Sequence, residues 1–356
     1  MISLNDRKWQ SFEIGDLFDV SGTTTTHPSV LKEKGDIPRI TCQAVNNGLE
    51  GFYSNIPTEN GGVLTVDSAT DGAVNYQGYD FIATDHVEKI SRKDGERIDR
   101  LSGIFLVWAV KSAIGNKYNY GYKFSQNRIR KQTILLPVTE AGEPDYDFMR
   151  SFVAERESSK RKEYVEYAER QLAQIERERE RERVDNAAIQ WRMFRIGDLF
   201  EIRRPAPRNK DDYAIGDINF VASGATNNGV MKSCQPKNGE KLDTGNCMSV
   251  SPVDGSCFYQ PIDFLGRGGA GSSIILLYPK NKTRLNKYIG LSLSRLIYQT
   301  AQKYTYGHMA NKDGVARDKI MLPTRNGSDI DYAWLENCTK VIMYKKYLSY
   351  LNYVIS

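Results

Sequence analysis

The sequence has little of what metal and nucleophile chemistry usually needs. Its 356 residues include three histidines and five cysteines. His27, His86 and His308 stand far apart, so neither a His-Glu-x-x-His helix nor a Cys/His cluster with ligand spacing can be drawn. Cys42, Cys234, Cys247, Cys257 and Cys338 are odd in number and form no Cys-x-x-Cys pair. That usage fits reduced thiols in a cytoplasm, with Cys247 and Cys257 serving as small apolar core residues. No run of about 18 apolar residues occurs, and the opening residues have no stretch resembling a signal peptide, so a cytoplasmic protein is expected. Also missing are a Gly-x-x-x-x-Gly-Lys-Ser/Thr loop, a Gly-x-Ser-x-Gly elbow and the Asn/Asp-Pro-Pro-Tyr/Phe motif of amino-methyltransferases. An excess of one charge is lacking too, since 49 Lys and Arg face 44 Asp and Glu for a net +5. This balance allows a polyanionic partner only through a local basic patch.

What is present is a folded composition, 40% hydrophobic with 21 tyrosines, and an internal repeat. Trp9-Gln-Ser-Phe-Glu-Ile-Gly-Asp-Leu-Phe-Asp-Val20 returns as Trp191-Arg-Met-Phe-Arg-Ile-Gly-Asp-Leu-Phe-Glu-Ile202. The match continues in order. Asn46-Asn47-Gly48 answers Asn227-Asn228-Gly229, and Asp71-Gly72 with Tyr76-Gln77 answers Asp254-Gly255 with Tyr259-Gln260. Asp80-Phe81 answers Asp263-Phe264, and Tyr118-Asn-Tyr120-Gly121 answers Tyr304-Thr-Tyr306-Gly307. Ile134-Leu-Leu-Pro137 and Asp145-Tyr146 answer Ile320-Met-Leu-Pro323 and Asp331-Tyr332. Collinear anchors at a nearly constant offset mark a tandem duplication.

Within each copy, short apolar runs lie between Gly-, Asn- and Asp-rich turns, as in strands; Phe105–Val110 and Ser273–Tyr278 are two of them. Asn47-Gly48 and Asn228-Gly229 read as hairpin turns, because Asn and Gly tolerate positive φ. A helix is expected over Lys287–Gln302. From about Asp147 to Val184 the chain is free of Gly and Pro, and Met149, Phe152, Val153, Tyr164, Leu172 and Ile175 keep an interrupted three-four spacing. It ends in the alternating tract Glu176–Arg183, whose charges pair across turns and suit a solvated rigid spacer. A second long helix is expected from Tyr332 to Tyr353, with a broad apolar face that needs a partner. The expected fold is therefore α+β. Two tandem, mainly β modules are each followed by a long α-helix, and the two helices pack as an antiparallel coiled coil. The expected boundaries are 1–146, 147–186 for the central helix, 187–330, and 331–356 for the last helix.

Two segments invite enzyme readings. Gly266-Arg-Gly-Gly-Ala-Gly-Ser-Ser273 is Gly-rich but opens no βαβ unit, so a turn explains its glycines. Asp85, Glu88 and Lys89 cluster irregularly, and a surface hairpin is expected there rather than a nuclease centre. No catalytic, cofactor-binding or metal-binding residue is assigned in this chain.

Two β-rich modules opening with Trp…Phe-x-Ile-Gly-Asp-Leu-Phe and closing into long helices resemble the specificity subunits of type I restriction-modification systems. The Asn-Asn-Gly, Tyr-Gln and Leu-Pro landmarks look especially like the related subunits of BcgI-type (type IIB) systems. The resemblance covers nearly the whole chain. It implies a non-catalytic subunit in which each module is a target-recognition domain for one half of a bipartite DNA site. The helices would then measure the gap and dock methyltransferase and restriction subunits. Those partners would bring S-adenosylmethionine, magnesium, adenine N6 methylation and cleavage. A nuclease or methyltransferase with an unrecognised site, and a coiled-coil adaptor for protein or glycan, are the rival readings.

Base edges call for Arg, Lys, Asn or Gln, whereas phosphates accept Lys, Arg, Ser, Thr and Tyr. On that chemistry the DNA-binding candidates of the first copy are Thr24, Thr25, Arg39, Gln43, Lys117, Tyr118, Tyr120, Lys123, Arg128 and Arg130, all expected in loops. Those of the second copy are Arg203, Arg204, Arg208, Lys210, Lys303, Tyr304, Tyr306, His308, Lys312 and Arg317. The matched segments 117–131 and 303–319 combine aromatic and basic residues and lead the list.

Overall fold

The opening motif of each copy folds into a strand and a single helical turn, and the rest of each module is built outward from it. The computed structural model describes residues 2–181, 189–269, 271–280, 285–325 and 327–355. The end of the Glu-Arg tract, the expected spacer end and module start around 182–188, and Ala270 of the Gly-rich run lie outside the described residues. The chain divides into two units, residues 1–164 and 165–356. The division falls inside the central helix.

The first module runs β1 (Lys8–Glu13), α1 (Ile14–Leu17), β2 (Phe18–Gly22), β3 (Ile37–Ile40) and β4 (Leu49–Tyr53). Then come β5 (Val63–Asp67), β6 (Val74–Gln77), β7 (Ile82–Ala83), β8 (Val87–Arg92) and α2 (Arg100–Ile114). It closes with α3 (Gln126–Arg130), β9 (Thr133–Val138) and the long α4 (Tyr146–Arg181). One sheet has the order β2-β8-β5-β6, another the order β4-β3-β7, and β1 pairs with β9.

The second module repeats the pattern with β10 (Gln190–Arg195), α5 (Ile196–Leu199), β11 (Phe200–Arg203), β12 (Ile215–Val221) and β13 (Val230–Cys234). Next are β14 (Cys247–Val250), β15 (Cys257–Gln260), β16 (Leu265–Gly266), β17 (Ile275–Pro279) and α6 (Lys287–Ala301). Last come α7 (Lys312–Arg317), β18 (Lys319–Arg325), β19 (Asp329–Ile330) and α8 (Tyr332–Ile355). Its sheets run β11-β17-β14-β15, β13-β12-β16 and β10-β18-β19, so the sequence repeat is a repeat of topology. Even the parallel pairings correspond, β3 with β7 and β12 with β16.

The shared landmarks are structural joints. Ile14 and Ile196 are fully buried, and their amides donate to Gln132 O and Asp318 O at 2.9 and 2.8 Å. The Asn-Asn-Gly turns sit between β3 and β4 and between β12 and β13, with Asn46, Asn47, Asn227 and Asn228 all at φ between 49° and 56°. Asn47 Nδ2 donates to Tyr76 O at 2.9 Å, and Gln77 Nε2 donates back to Asn47 O at 3.1 Å. Asn228 and Gln260 repeat the clamp at 3.2 and 3.0 Å. The two landmarks are thus one cross-link between sheets.

Phe105–Val110, read as a strand, lies inside α2 instead. Asp99 caps that helix by accepting from Leu101 N and Ser102 N, and Phe105, Leu106, Ala109 and Val110 are its core side. The run looked continuous because α2 is covered on several sides. Phe105 meets Trp9, Trp108 and Phe152 with ring centroids 5.3–6.1 Å apart. The run in 273–278 is β17, and the helix expected near 287–302 is α6.

The early residues Phe148, Met149 and Val153 of α4 are buried in the first unit. In the second unit Ala168 and Ile175 are buried with Tyr288, Tyr347 and Leu351. Contacts between α4 and α8 there run in opposite directions: Tyr167 with Tyr347, Glu176 with Tyr344, Glu178 with Lys340. Lys340 is 1% exposed, 2.8 Å from Glu336 and 3.2 Å from Glu178, with Nζ 5.2 Å from the Tyr288 ring centroid. Burial opposes ionisation of Glu178, but hydrogen bonds from Gln174 and Lys340 outweigh it and hold the carboxyl below its usual range. Among the described residues no helix is long and apolar enough to cross a membrane.

Candidate nucleic-acid interface

Several loops of the first module converge. Thr23 Oγ1 donates to Val87 O at 2.8 Å, and Thr26 N to Ala83 O at 2.7 Å, tying the threonine run to the β7–β8 turn. The β5–β6 loop joins through Ser68 N to His86 O at 2.9 Å, and the β3–β4 loop through Cys42 Sγ to His86 O at 3.3 Å. Gly72, at φ 76°, lies so close to Phe124 and Tyr118 that a Cβ would stand 3.3–3.4 Å away. Asp85 lies in the exposed turn between β7 and β8 and Glu88 in β8; these strands belong to different sheets, so the segment expected as a surface hairpin is a connection between sheets. Burial first, then Asp67 and Asp85, push the Cys42 thiol up to about 12, which keeps it protonated and non-nucleophilic at neutral pH. Among the described residues no three His, Cys, Asp or Glu side chains are gathered as for a metal ion.

The matched segment 117–131 supplies a small hairpin. Asn119 and Tyr122 exchange backbone hydrogen bonds of 3.2 and 2.9 Å, and Asn119 Oδ1 accepts from Gly121 N at 2.9 Å. Beneath the tip, Phe124, Tyr118 and Tyr122 stack at 4.1 and 5.6 Å, and the Arg128 guanidinium lies 3.9 Å from the Tyr122 ring. Tyr118 OH donates to Gln132 Oε1 at 3.2 Å. This base holds Tyr120 out at the tip, 79% exposed, with Lys123 Nζ 5.5 Å from its ring.

The second module builds the same hairpin from different residues. Thr305 and His308 exchange hydrogen bonds of 3.2 and 3.0 Å, and Tyr304 stacks on His308 at 6.0 Å. Tyr304 OH donates to Asp318 Oδ2 at 2.7 Å, and Lys303 pairs with the same carboxylate. Burial, then the Asp318 contact, push the Tyr304 hydroxyl up, so it stays a donor. Tyr306 is 83% exposed. The hairpin is anchored by Ala310 N to Pro252 O at 2.9 Å. The Gly-rich run is the β16–β17 loop; its Gly268 is fixed by a close approach, since a Cβ there would lie 2.1 Å from Pro205 O.

The candidates separate by burial. Thr24, Thr25, Lys117, Tyr120, Arg130, Arg203, Arg204, Lys210, Lys303, Tyr306, His308, Lys312 and Arg317 are exposed; Gln43, Lys123 and Arg128 are half-buried. Four are taken up by the fold. Arg39 is 3% exposed, donates to Thr26 O at 3.0 Å and pairs with Glu50. Arg208, its side chain 4% exposed, bonds Glu240 and Asp243 at 2.7 and 2.6 Å together with Lys241 O and Gly266 O. Tyr118 and Tyr304 are the hairpin bases, with only their neighbours at the tips outside. Several presumed loop residues also lie in regular structure: Arg39 in β3, Arg128 and Arg130 in α3, Arg203 in β11, Lys312 and Arg317 in α7. Arg130 Nη2 donates to Val20 O at 2.5 Å, and Arg203 pairs with Glu201 at 2.7 Å. A further arginine outside these candidates, Arg267, stands half-buried inside the Gly-rich run, where the other copy has Thr84.

An exposed tyrosine face beside lysine can stack on a base or sugar, while its hydroxyl and the ammonium reach phosphate. The exposed tyrosine tip occurs in both modules, with a lysine over its ring in the first, and a repeated tip is suited to a long, repetitive polyanion. The family model of the type I restriction modification DNA specificity domain matches residues 6–167 and again 189–346. S.BcgI, the specificity subunit of a type II restriction enzyme from Heyndrickxia coagulans, is 24% identical over 337 residues, covering 92% of this chain and 93% of that protein. Among solved structures, the S subunit of a type I restriction-modification system from M. genitalium is 13% identical, with a TM-score of 0.43 over 99% of this chain and 93% of that one. The HsdS subunit of Thermoanaerobacter tengcongensis is 12% identical, with a TM-score of 0.31 over 96% and 90%. With one family match in each half, the chain belongs to the family of type I restriction-modification DNA specificity domains, and carries that domain twice.

Proposed function

We propose that this chain is the non-catalytic DNA-specificity subunit of a cytoplasmic restriction-modification complex. Each module reads one half of a bipartite double-stranded target, and α4 and α8 set the gap and dock adenine-N6 methyltransferase and restriction subunits. S-adenosylmethionine and magnesium are held by those partners. The observation that carries the reading is the matched pair of Tyr-tipped hairpins, Tyr120 and Tyr306, on one scaffold with different loops around them. Shared tips suit the phosphate backbone, which is the same in every half-site, and differing loops suit different base sequences. The full target is therefore asymmetric.

The test is to isolate the subunit with its bound proteins from its native host and select duplexes from a random pool. The expected result is an adenine methyltransferase in the complex and a bipartite, non-palindromic consensus, bound with steep salt dependence. A palindromic consensus overturns the asymmetry. A preparation with no such partner and no salt-sensitive binding overturns the DNA reading in favour of the adaptor.

A further inference from the structure

The two modules share a scaffold but differ sharply at the ends of two strands, one from each of two sheets. Where β2 ends on Gly22, the second module has Arg204; where β7 is followed by Thr84, it has Arg267. The second match is fixed by the backbone, because Thr84 N donates to Ile40 O at 3.0 Å and Arg267 N to Val221 O at 2.8 Å. Both guanidiniums turn to one loop. Arg204 Nη1 is 3.5 Å from Ser273 O, and Arg267 Nη1 bonds Ser272 Oγ. That loop is itself held, by Ser223 Oγ donating to Ser272 O at 2.6 Å.

Among the described residues neither guanidinium has a carboxylate partner, unlike Arg203 on Glu201 and Arg208 on Glu240 and Asp243. Each touches a single neutral acceptor, so most of its five donors remain open and the charge is uncompensated. A pair of arginines oriented by neutral atoms of one loop is poised for an acceptor from outside.

We propose that Arg204 and Arg267 read guanine in the half-site of the second module, whereas the first module, with Gly22 and Thr84 there, makes no such demand. This rests on the DNA-specificity reading above. Guanine presents O6 and N7 together in the major groove, a spacing that the planar guanidinium fork matches with two parallel bonds. Phosphate would take the same donors. Phosphate contacts serve every sequence, however, and belong with the features that both copies keep. These arginines occur in one copy only, at positions that the scaffold holds fixed.

The complex with its methyltransferase subunit is challenged with randomised duplexes, comparing wild type with Arg204→Gly and Arg267→Thr. Each variant installs the residue that the first module already carries, and a melting curve of the assembled complex verifies folding. Arg204→Lys and Arg267→Lys are run beside them, because they keep the charge and lose the fork. The expected result is a guanine preference that falls roughly 5- to 150-fold at one position for each arginine, in one half-site, in the Lys variants too. The other half-site is unchanged. If Gly and Thr variants weaken every sequence alike, shallow the salt dependence, and Lys restores binding, the arginines grip phosphate and the guanine proposal is overturned. An unchanged consensus with unchanged affinity overturns it as well. Should wild type itself select no sequence, the specificity reading falls, and that failure is distinct because it precedes any variant.

Discussion

A single carboxylate starts each long helix. Asp145 Oδ1 accepts from Phe148 N at 2.8 Å and its Oδ2 from Arg7 Nε at 2.9 Å; Asp331 does the same with Trp334 N at 3.0 Å and Arg325 Nε at 2.9 Å. The arginine comes from ahead of β1 in one module and from the end of β18 in the other, so the cap was kept while its partner changed. Burial works against ionised Asp145, but the Arg7 bond and the Phe148 amide outweigh it, and the carboxyl sits below the usual range. A depressed folded pKa means the stabilisation is complete above the unfolded value of about 3.9 and fades as pH falls through the folded one. Asp145→Ala should cost about 1–2 kcal/mol at pH 7, measured by urea unfolding. The gap between wild type and variant should narrow below pH 4; a gap of equal size at pH 3 and pH 7 would remove the ionised cap.

At the scale of the element, the glycines inside α2 and α6 run against helix propensity, and their neighbours explain it. A Cβ on Gly103 would lie 2.3 Å from the Tyr76 ring, and one on Gly290 2.5 Å from the Tyr259 ring. Those rings are pinned by their hydroxyls, Tyr76 to Ile98 O at 2.8 Å and Tyr259 to Asn246 Oδ1 at 2.9 Å. Gly→Ala in a helix interior ordinarily gains roughly 0.5–1 kcal/mol. Here Gly290→Ala should instead lose about 1–3 kcal/mol through overpacking, with thermal unfolding as the measure. Adding Tyr259→Leu should recover part of the loss, and strictly additive effects would refute the close-packing cause.

The same helices mark what could be read from sequence alone. Landmarks that are backbone constraints were legible, because Asn at positive φ, Gly at a close approach and Asp at a cap each leave a residue signature. α6 showed itself, but α2 was hidden by an uninterrupted apolar run, although Gly103 stands where Gly290 does. Burial of arginine was not legible. Arg39 and Arg208 look like loop cations until Glu50, Glu240 and Asp243 arrive from 11, 32 and 35 residues away. A sequence shows that a charge exists and does not show which distant carboxylate spends it.

For the whole molecule, the measuring role proposed for α4 can be tested at a place that its packing leaves open. The helix is 36 residues long, about 54 Å at 1.5 Å per residue. From Ala168 to Glu178 its side chains are engaged with Tyr347, Tyr344, Lys340 and Tyr288. An insertion near Gln174 would pull Glu178 away from buried Lys340, leaving an ammonium short of one carboxylate, and would confound length with stability. Near Lys160, which is exposed and follows the anchored Met149–Val153 stretch, added residues disturb neither set. Four alanines there add about 6 Å, close to two base pairs at about 3.4 Å each. If α4 measures the target, the selected consensus should keep both half-sites and widen the gap between them by one or two base pairs. Loss of one half-site from the consensus would mean that the helix sets orientation more than distance. An unchanged gap, with the melting curve of the complex unaltered, would remove the measuring role and leave α4 as a docking element alone.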